Sequence, residues 1–139
     1  MKIIFLFILT LTCFVVQAEN SQHETEEVIA KHNVWHAAKL RGVSFRAIGQ
    51  EPQWLLEITD GKKILLVTGY GQKSTAYPYV KPKVYQQQRR TVFSVKDQNL
   101  EVVIEGKHCS DIMSGEKFDV SVYITLQGKQ FRGCGRALH

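Results

Sequence analysis

At 139 residues, 44% hydrophobic and 22% charged, the chain has the length of one domain, with no internal repeat, Pro/Gly/Ser linker or low-complexity tract. Its net charge of +5 at pH 7 is too modest to point to a nucleic-acid partner for an exported chain. The three cysteines show no C-x-x-C and no short Cys/His spacing, so neither a metal site, a redox pair nor a cofactor is expected.

The first residues, MKIIFLFILTLTCFVVQA, place one lysine before an apolar run that ends with small residues at Val16 and Ala18. About 14 apolar residues fall short of the roughly 20 a crossing helix needs, so this is a secretory signal peptide cleaved after Ala18. A lipoprotein would instead use Cys13 as its lipid-bearing residue, with Leu at position 10. The sequence has Thr10, with Leu11 one place late, and a lipid anchor is not expected. The expected product is periplasmic or secreted, with residues 19–139 forming a single β-rich domain.

Residues 19–27 (ENSQHETEE) are polar and acidic, a loose N-terminal arm. A helix is expected over about 26–40, with Val28, Ile29, Trp35, Ala38 and Leu40 toward one side and Gly42 as its stop. From about 43 to 138 the apolar period changes to 2. After the strand VSFRAIG, the run QWLLEIT-DG-KKILLVT predicts a hairpin with a two-residue Asp60-Gly61 turn, type I′, and Thr59 opposite Lys62. Trp54, Leu56 and Ile58 would then share a face with Leu65 and Val67.

The run GYGQKSTAYPYVKPKVYQQQRR does not alternate cleanly and reads as a long loop or irregular edge strand. TVFSVKD-QN-LEVVIE predicts a second hairpin, with Phe93, Val95, Val102 and Ile104 on one face and Lys96 opposite Glu101. FDVSVYITL-QG-KQFRGCG predicts a third, with Val120, Val122, Ile124, Leu126 and Phe131 toward the core. A two-residue Gln127-Gly128 turn puts Cys134 opposite Ser121, away from Phe131. Either the cysteine lies on the outer face or the strand bulges at Gly133-Cys134-Gly135, and the flanking glycines favour the bulge. The expected fold is mainly β, a small antiparallel barrel or sandwich of about seven to eight strands with one N-terminal helix and one disulfide.

That disulfide follows from the compartment. Cys13 leaves with the leader, and Cys109 and Cys134 remain as a pair in oxidising surroundings. Closing a loop of about 26 residues stabilises by roughly 3–4 kcal/mol in the chain-entropy account.

Charge is uneven along the chain. Residues 61–96 hold no acid and eight cations: Lys62, Lys63, Lys73, Lys81, Lys83, Arg89, Arg90 and Lys96. The same window holds Tyr70, Tyr77, Tyr79 and Tyr85. Tyrosine beside Lys and Arg suits anionic glycans or acidic lipid head groups, through stacking and charge-assisted hydrogen bonds. The competing role is structural, with tyrosines packing a strand edge and lysines guarding it against aggregation. Tyr70, Tyr77, Tyr79, Lys81, Lys83, Tyr85, Arg89 and Arg90 are the candidate ligand-binding residues.

No catalytic residue emerges. His32 and His36 are four apart on the expected helix, but Asn-Val-Trp lies between them, so H-E-x-x-H is absent and no third ligand is evident. Asp111, Ser114 and Glu116 in CSDIMSGE are expected to bond backbone and hold a turn rather than to act as acid and base.

With RGVSFRAIGQEPQWLLEI (41–58), CSDIMSGEKFDVSVYITLQGKQFRGCGRAL (109–138) and the preceding VWHAAKL in view, the chain resembles a family of uncharacterised bacterial envelope proteins, labelled lipoproteins or membrane proteins of unknown function. The G-x-E-P-x-W element and the C-x-D-x-M-S-G…G-C-G frame carry the resemblance; residues 70–90 match weakly. It implies an exported, mostly β protein without an assigned activity. Similar domains accompany META-type stress-response and lysozyme-inhibitor-like domains, which points to envelope protection. In the Glu51-Pro52-x-Trp54 element, Pro52 marks a strand entrance, Trp54 a core anchor, and Glu51 an acceptor near Arg46 or Arg136.

These features point to an exported, non-enzymatic cell-envelope protein that binds an anionic envelope glycan or lipid through the basic tyrosine-rich face. Peptidoglycan, lipopolysaccharide or an envelope protein would be the partner. The alternative is a protein inhibitor of a hydrolase such as lysozyme, with an acidic loop such as 109–119 supplying the contact.

Overall fold

The structure, a computed structural model, describes Ile29 and residues 33–139. The expected signal peptide, the polar arm, Val28 and His32 lie outside the described residues. The chain falls into two units, Met1–Val34 and Trp35–His139, and the β body belongs to the second. Residues 33–40 form a helix, α1. It ends as expected at Gly42, whose φ of 83° is the left-handed cap that glycine takes without a Cβ penalty. Ala38 is buried and Trp35 half-buried, but Leu40 is 75% exposed and Ile29 faces solvent, so the expected apolar side is narrower than drawn.

Eleven strands follow: β1 Phe45–Gln50, β2 Gln53–Thr59, β3 Lys63–Thr68, β4 Lys73–Pro78, β5 Lys83–Tyr85, β6 Arg90–Val95, β7 Leu100–Glu105, β8 Cys109–Ser110, β9 Lys117–Phe118, β10 Val120–Leu126 and β11 Lys129–Ala137. Nine form one antiparallel sheet in the order β4-β3-β2-β1-β11-β10-β7-β6-β5, and β8 pairs with β9 as a separate ribbon. The count exceeds the expected seven to eight. The window expected as a long loop or irregular edge strand supplies both edge strands, β4 and β5, and the segment from Cys109 supplies the ribbon.

Connectivity forces this sheet to curl. Eight inter-strand gaps at about 4.8 Å would separate the two edges of a flat sheet by roughly 38 Å. Yet β4 and β5 are joined only by residues 79–82, a link spanning at most about 18 Å. In a nine-stranded antiparallel sheet the first and last strands also run the same way. With so short a link, β5 must lie beyond the end of β4 rather than beside it. The result is a half-barrel whose two edges are bridged by the 73–85 run. Tyr79 and Val80 of the link pack on the core, Tyr79 meeting Phe93 edge-on at 6.1 Å between ring centroids.

The inner face is filled by Ala47, Trp54, Leu56, Ile58, Ile64, Leu66, Tyr77, Phe93, Val95, Leu100, Val102, Val122 and Ile124. Turn chemistry decides which face each strand presents. At β2–β3 only Gly61 takes a positive φ, and Thr59 stands opposite Lys63, so the loop has three residues rather than two. That shift of one residue turns β3 over: Ile64 and Leu66, not Leu65 and Val67, join Trp54, Leu56 and Ile58. At β6–β7 a 3-10 turn, Lys96–Gln98, with Asn99 at φ 49° lengthens the loop to four residues. Ser94, not Lys96, stands opposite Glu101, and because the slip is two residues the expected face survives. At β10–β11 the two-residue turn is as expected, with Gln127 and Gly128 at φ 49° and 80° and Leu126 opposite Lys129.

Cys134 lies opposite Ser121 and Ile48 in an uninterrupted ladder, so the expected bulge at Gly133–Gly135 is absent and the cysteine is on the outer face. The glycines have another cause. A Cβ at Gly49 would sit 2.1 Å from Trp54 Nε1, and one at Gly133 2.7 Å from Trp54 Cζ2 and 2.0 Å from the Ile48 carbonyl. The indole lies flat against two strands because neither presents a side chain beneath it.

Candidate functional site

Two regions carry features beyond packing. The first is the seam of the half-barrel. All eight cations of residues 61–96 are exposed, and among the described residues none has a carboxylate within 4.0 Å. Five of them lie near the link, whereas Lys62, Lys73 and Lys96 sit in the β2–β3 turn, at the far end of β4 and in the β6–β7 turn. Lys63 stands opposite Pro78 at the end of β4, the 79–82 link carries Lys81, and β5 begins at Lys83. Along β5–β6, Tyr85 is opposite Arg90, with Arg89 in the adjoining turn at φ 49°. Arg90 also faces Glu105 across the ladder to β7, the one acid beside this cluster in register.

The candidate tyrosines separate. Tyr70 in the β3–β4 turn and Tyr85 on β5 are exposed. Tyr77 is buried in the inner core, and Tyr79 is half-buried against Phe93. The surface open to a ligand is therefore Tyr85 with Lys81, Lys83, Arg89 and Arg90, and Tyr70 at the far turn of β4. Tyr77 and Tyr79 hold the link against the core beneath it.

The second region is the β8–β9 ribbon. The disulfide joins Cys109 to Cys134 across 25 residues and staples the ribbon to β11. Phe118, buried, packs on Trp35 at 5.6 Å between centroids. Arg136 donates to Glu116 Oε1 at 2.8 Å and to the Lys117 carbonyl at 3.2 Å. Between the strands, the Ser114 backbone N–H and hydroxyl donate to Asp111 Oδ2 at 2.9 and 2.7 Å. The Asp111 N–H donates to the Glu116 carbonyl at 2.9 Å, and the Gly115 N–H to the Asp111 carbonyl at 2.8 Å. Asp111 and Ser114 thus hold a turn, as their spacing predicted. This braced turn presents Ile112 and Met113 to solvent, 89% and 72% exposed, on the rim of a cleft of about 440 Å³ between the ribbon, the β1–β2 turn and β11. The expectations missed this pair; the available signal was two bulky apolar residues inside an otherwise polar turn, SDIMSGE.

Outside the sheet, two guanidinium groups stand over the Trp35 ring, Arg46 at 5.2 Å and Arg136 at 5.0 Å from its centroid. Glu57, 7% exposed, accepts from Arg41 at 2.8 Å and lies 3.4 Å from Arg46. Burial pulls the Arg46 guanidinium below the usual arginine range, while the Glu57 charge pushes it back up and Arg41 adds to the lowering. Glu51 is not the acceptor expected for Arg46 or Arg136: it is exposed beside the cis Glu51–Pro52 bond, and those arginines pair with Glu57 and Glu116. His36 is exposed, and among the described residues no three His, Cys, Asp or Glu side chains converge as a metal site. Among the same residues no helix is long and apolar enough to cross a membrane.

No protein-family model, curated protein or solved structure matches the chain.

Proposed function

We propose that this is an exported, non-enzymatic protein of the bacterial cell envelope that holds an anionic envelope glycan or lipid on the basic seam of its half-barrel. The observation that carries the reading is the exposed run Lys81, Lys83, Arg89 and Arg90, with Lys63 opposite Pro78 beside it, without ion-pair partners among the described residues, along the link and the edge strand β5 with its partner β6. Unpaired surface cations retain their full attraction for a polyanion, an attraction that salt weakens. Tyr85 offers a ring face beside Lys83 and Arg90 for a sugar or head group. The leader and the disulfide support a periplasmic or secreted location, and the motif resemblance supports an envelope setting.

The test is a charge reversal, Lys81→Glu, Lys83→Glu, Arg89→Glu and Arg90→Glu together. Wild-type protein is retained on peptidoglycan or lipopolysaccharide in low salt and released by high salt. The reversed protein, folded by circular dichroism, passes through. Equal retention of both dismisses the seam as the binding site.

One observation favours a second reading, inhibition of a hydrolase such as lysozyme. The 109–119 loop is disulfide-anchored and internally braced, so a bound partner would not have to order it. An inhibition assay against a panel of lysozymes decides it, with no effect at micromolar protein excluding the idea.

A further inference from the structure

We infer that the tip of the β8–β9 ribbon is a lipid-inserting contact, Ile112 and Met113 entering the boundary between head groups and acyl chains of an anionic lipid layer while nearby cations meet the phosphates. The inference rests on the proposed binding of anionic envelope material and narrows it to an amphiphile.

Three observations converge on lipid. The first is the apolar pair itself. Two adjacent bulky side chains stand almost fully in water on a turn whose hydrogen bonds hold them out. A glycan offers them no hydrocarbon phase, whereas an interfacial lipid layer gains with every apolar surface element it covers.

The second is the state of the turn's polar groups. The backbone N–H groups of Asp111, Ser114, Gly115 and Glu116 all donate within the turn, and the Ser114 hydroxyl is spent on Asp111. Only the Ile112 and Met113 N–H groups at the tip lack a protein acceptor among the described residues, and at the boundary between head groups and acyl chains they meet head-group oxygens and water.

The third is charge. The turn's own acids are occupied, Asp111 by Ser114 and Glu116 by Arg136 at 2.8 Å. Lys107, His108 and Lys117 of the ribbon are exposed, and Arg132 lines the same cleft. Glu51 on the cleft rim and Asp119 are the exposed acids nearby. Cations around an apolar tip suit a surface of negative head groups.

The experiment uses the full mature protein, the double variant Ile112→Ser/Met113→Ser and the four-site charge reversal described above. Co-sedimentation is measured with phosphatidylcholine vesicles, with vesicles holding about one-third phosphatidylglycerol, and with lipid-free peptidoglycan. Both substituted positions are exposed, so the double variant keeps its fold, checked by its melting temperature. The expected result is wild-type binding to the anionic vesicles, weakened about tenfold or more by the double serine variant, whose binding to peptidoglycan equals wild type. Ile112→Trp should bind the vesicles more tightly and show a blue-shifted emission on binding. Equal vesicle binding by wild type and double variant overturns the inference while leaving the seam reading standing. So does a wild type that ignores vesicles yet binds peptidoglycan. A concentration-dependent dimer that the serine variant abolishes also overturns it, the tip then belonging to a second copy. Charge reversal without effect on either target refutes the seam instead.

Discussion

The claim that Gly49 exists to admit Trp54 can be tested by a double-mutant cycle. In Gly49→Ala the new methyl carbon would lie 2.1 Å from Trp54 Nε1 and 2.4 Å from Cε2, against an ordinary contact of about 3.4 Å or more. The indole is 2% exposed and its core neighbours are fully buried, so it has nowhere to retreat. The expected loss is at the upper end of the overpacking range, about 3 kcal/mol. Trp54→Leu alone leaves a partial cavity and costs about 2–3 kcal/mol. It adds no unsatisfied partner, since Trp54 Nε1 has no hydrogen bond among the described residues.

Trp54→Leu relieves the indole clash but not the 2.7 Å approach of the new methyl to the Arg132 carbonyl, so the double variant should lose about 4 kcal/mol rather than the roughly 5–6 of independent sites, a coupling of about 1–2 kcal/mol. Gly133→Ala is the control. Its methyl would meet the Ile48 backbone carbonyl at 2.0 Å, a clash that Trp54→Leu does not relieve, so most of its cost persists in that background. Urea unfolding followed by circular dichroism reads all these values. Additivity of Gly49→Ala and Trp54→Leu within about 0.5 kcal/mol refutes the account of the glycine.

Replacing Cys109 and Cys134 together by alanine removes a cross-link over 25 residues and should lower stability by about 3.5 kcal/mol, a melting shift on the order of 15 °C. A shift of only a few degrees in a calorimetric scan would mean that the staple does not constrain the unfolded chain. Glu57→Ala strips Arg41 and Arg46 of the carboxylate they share in a nearly buried position, and should cost about 2–3 kcal/mol in chemical denaturation. A cost below about 0.5 kcal/mol would place this pair with solvent-exposed bridges.

The alternation of apolar residues was enough to define the strands of the three hairpins and the existence of a mainly β fold, because side chains on a strand repeat every two residues whatever lies around them. It was also enough for the β10–β11 register, where Gln127-Gly128 takes the two-residue turn that a residue pair of that type favours. The cysteine pairing was legible from the expected leader, which would leave Cys109 and Cys134 as the two remaining cysteines in oxidising surroundings.

Parity was not legible at β2–β3. Asp60-Gly61 suggests a two-residue turn, but the loop closes on three, and one residue sends β3 to the opposite face. Residues 70–90 read as a long loop or irregular edge strand, not as the two edge strands they form. Each pairs with its neighbour in sequence, β4 with β3 and β5 with β6, but their places at opposite edges of one sheet depend on the distant strands β1, β11, β10 and β7 between them. The Gly133-Cys134-Gly135 triplet fits a bulge when only its own strand is considered. Its glycines are required by distant neighbours, Gly133 by Trp54 and the Ile48 carbonyl and Gly135 by Phe45, Ala47 and the Arg46 carbonyl; distance in sequence likewise hides the exposed Ile112-Met113 pair, which stays in water because Asp111, Arg136 and a distant cysteine hold its turn away from the core. Local periodicity is set by backbone geometry and survives in one dimension; register, close approach and exposure depend on which distant segments meet, and those the tertiary structure decided.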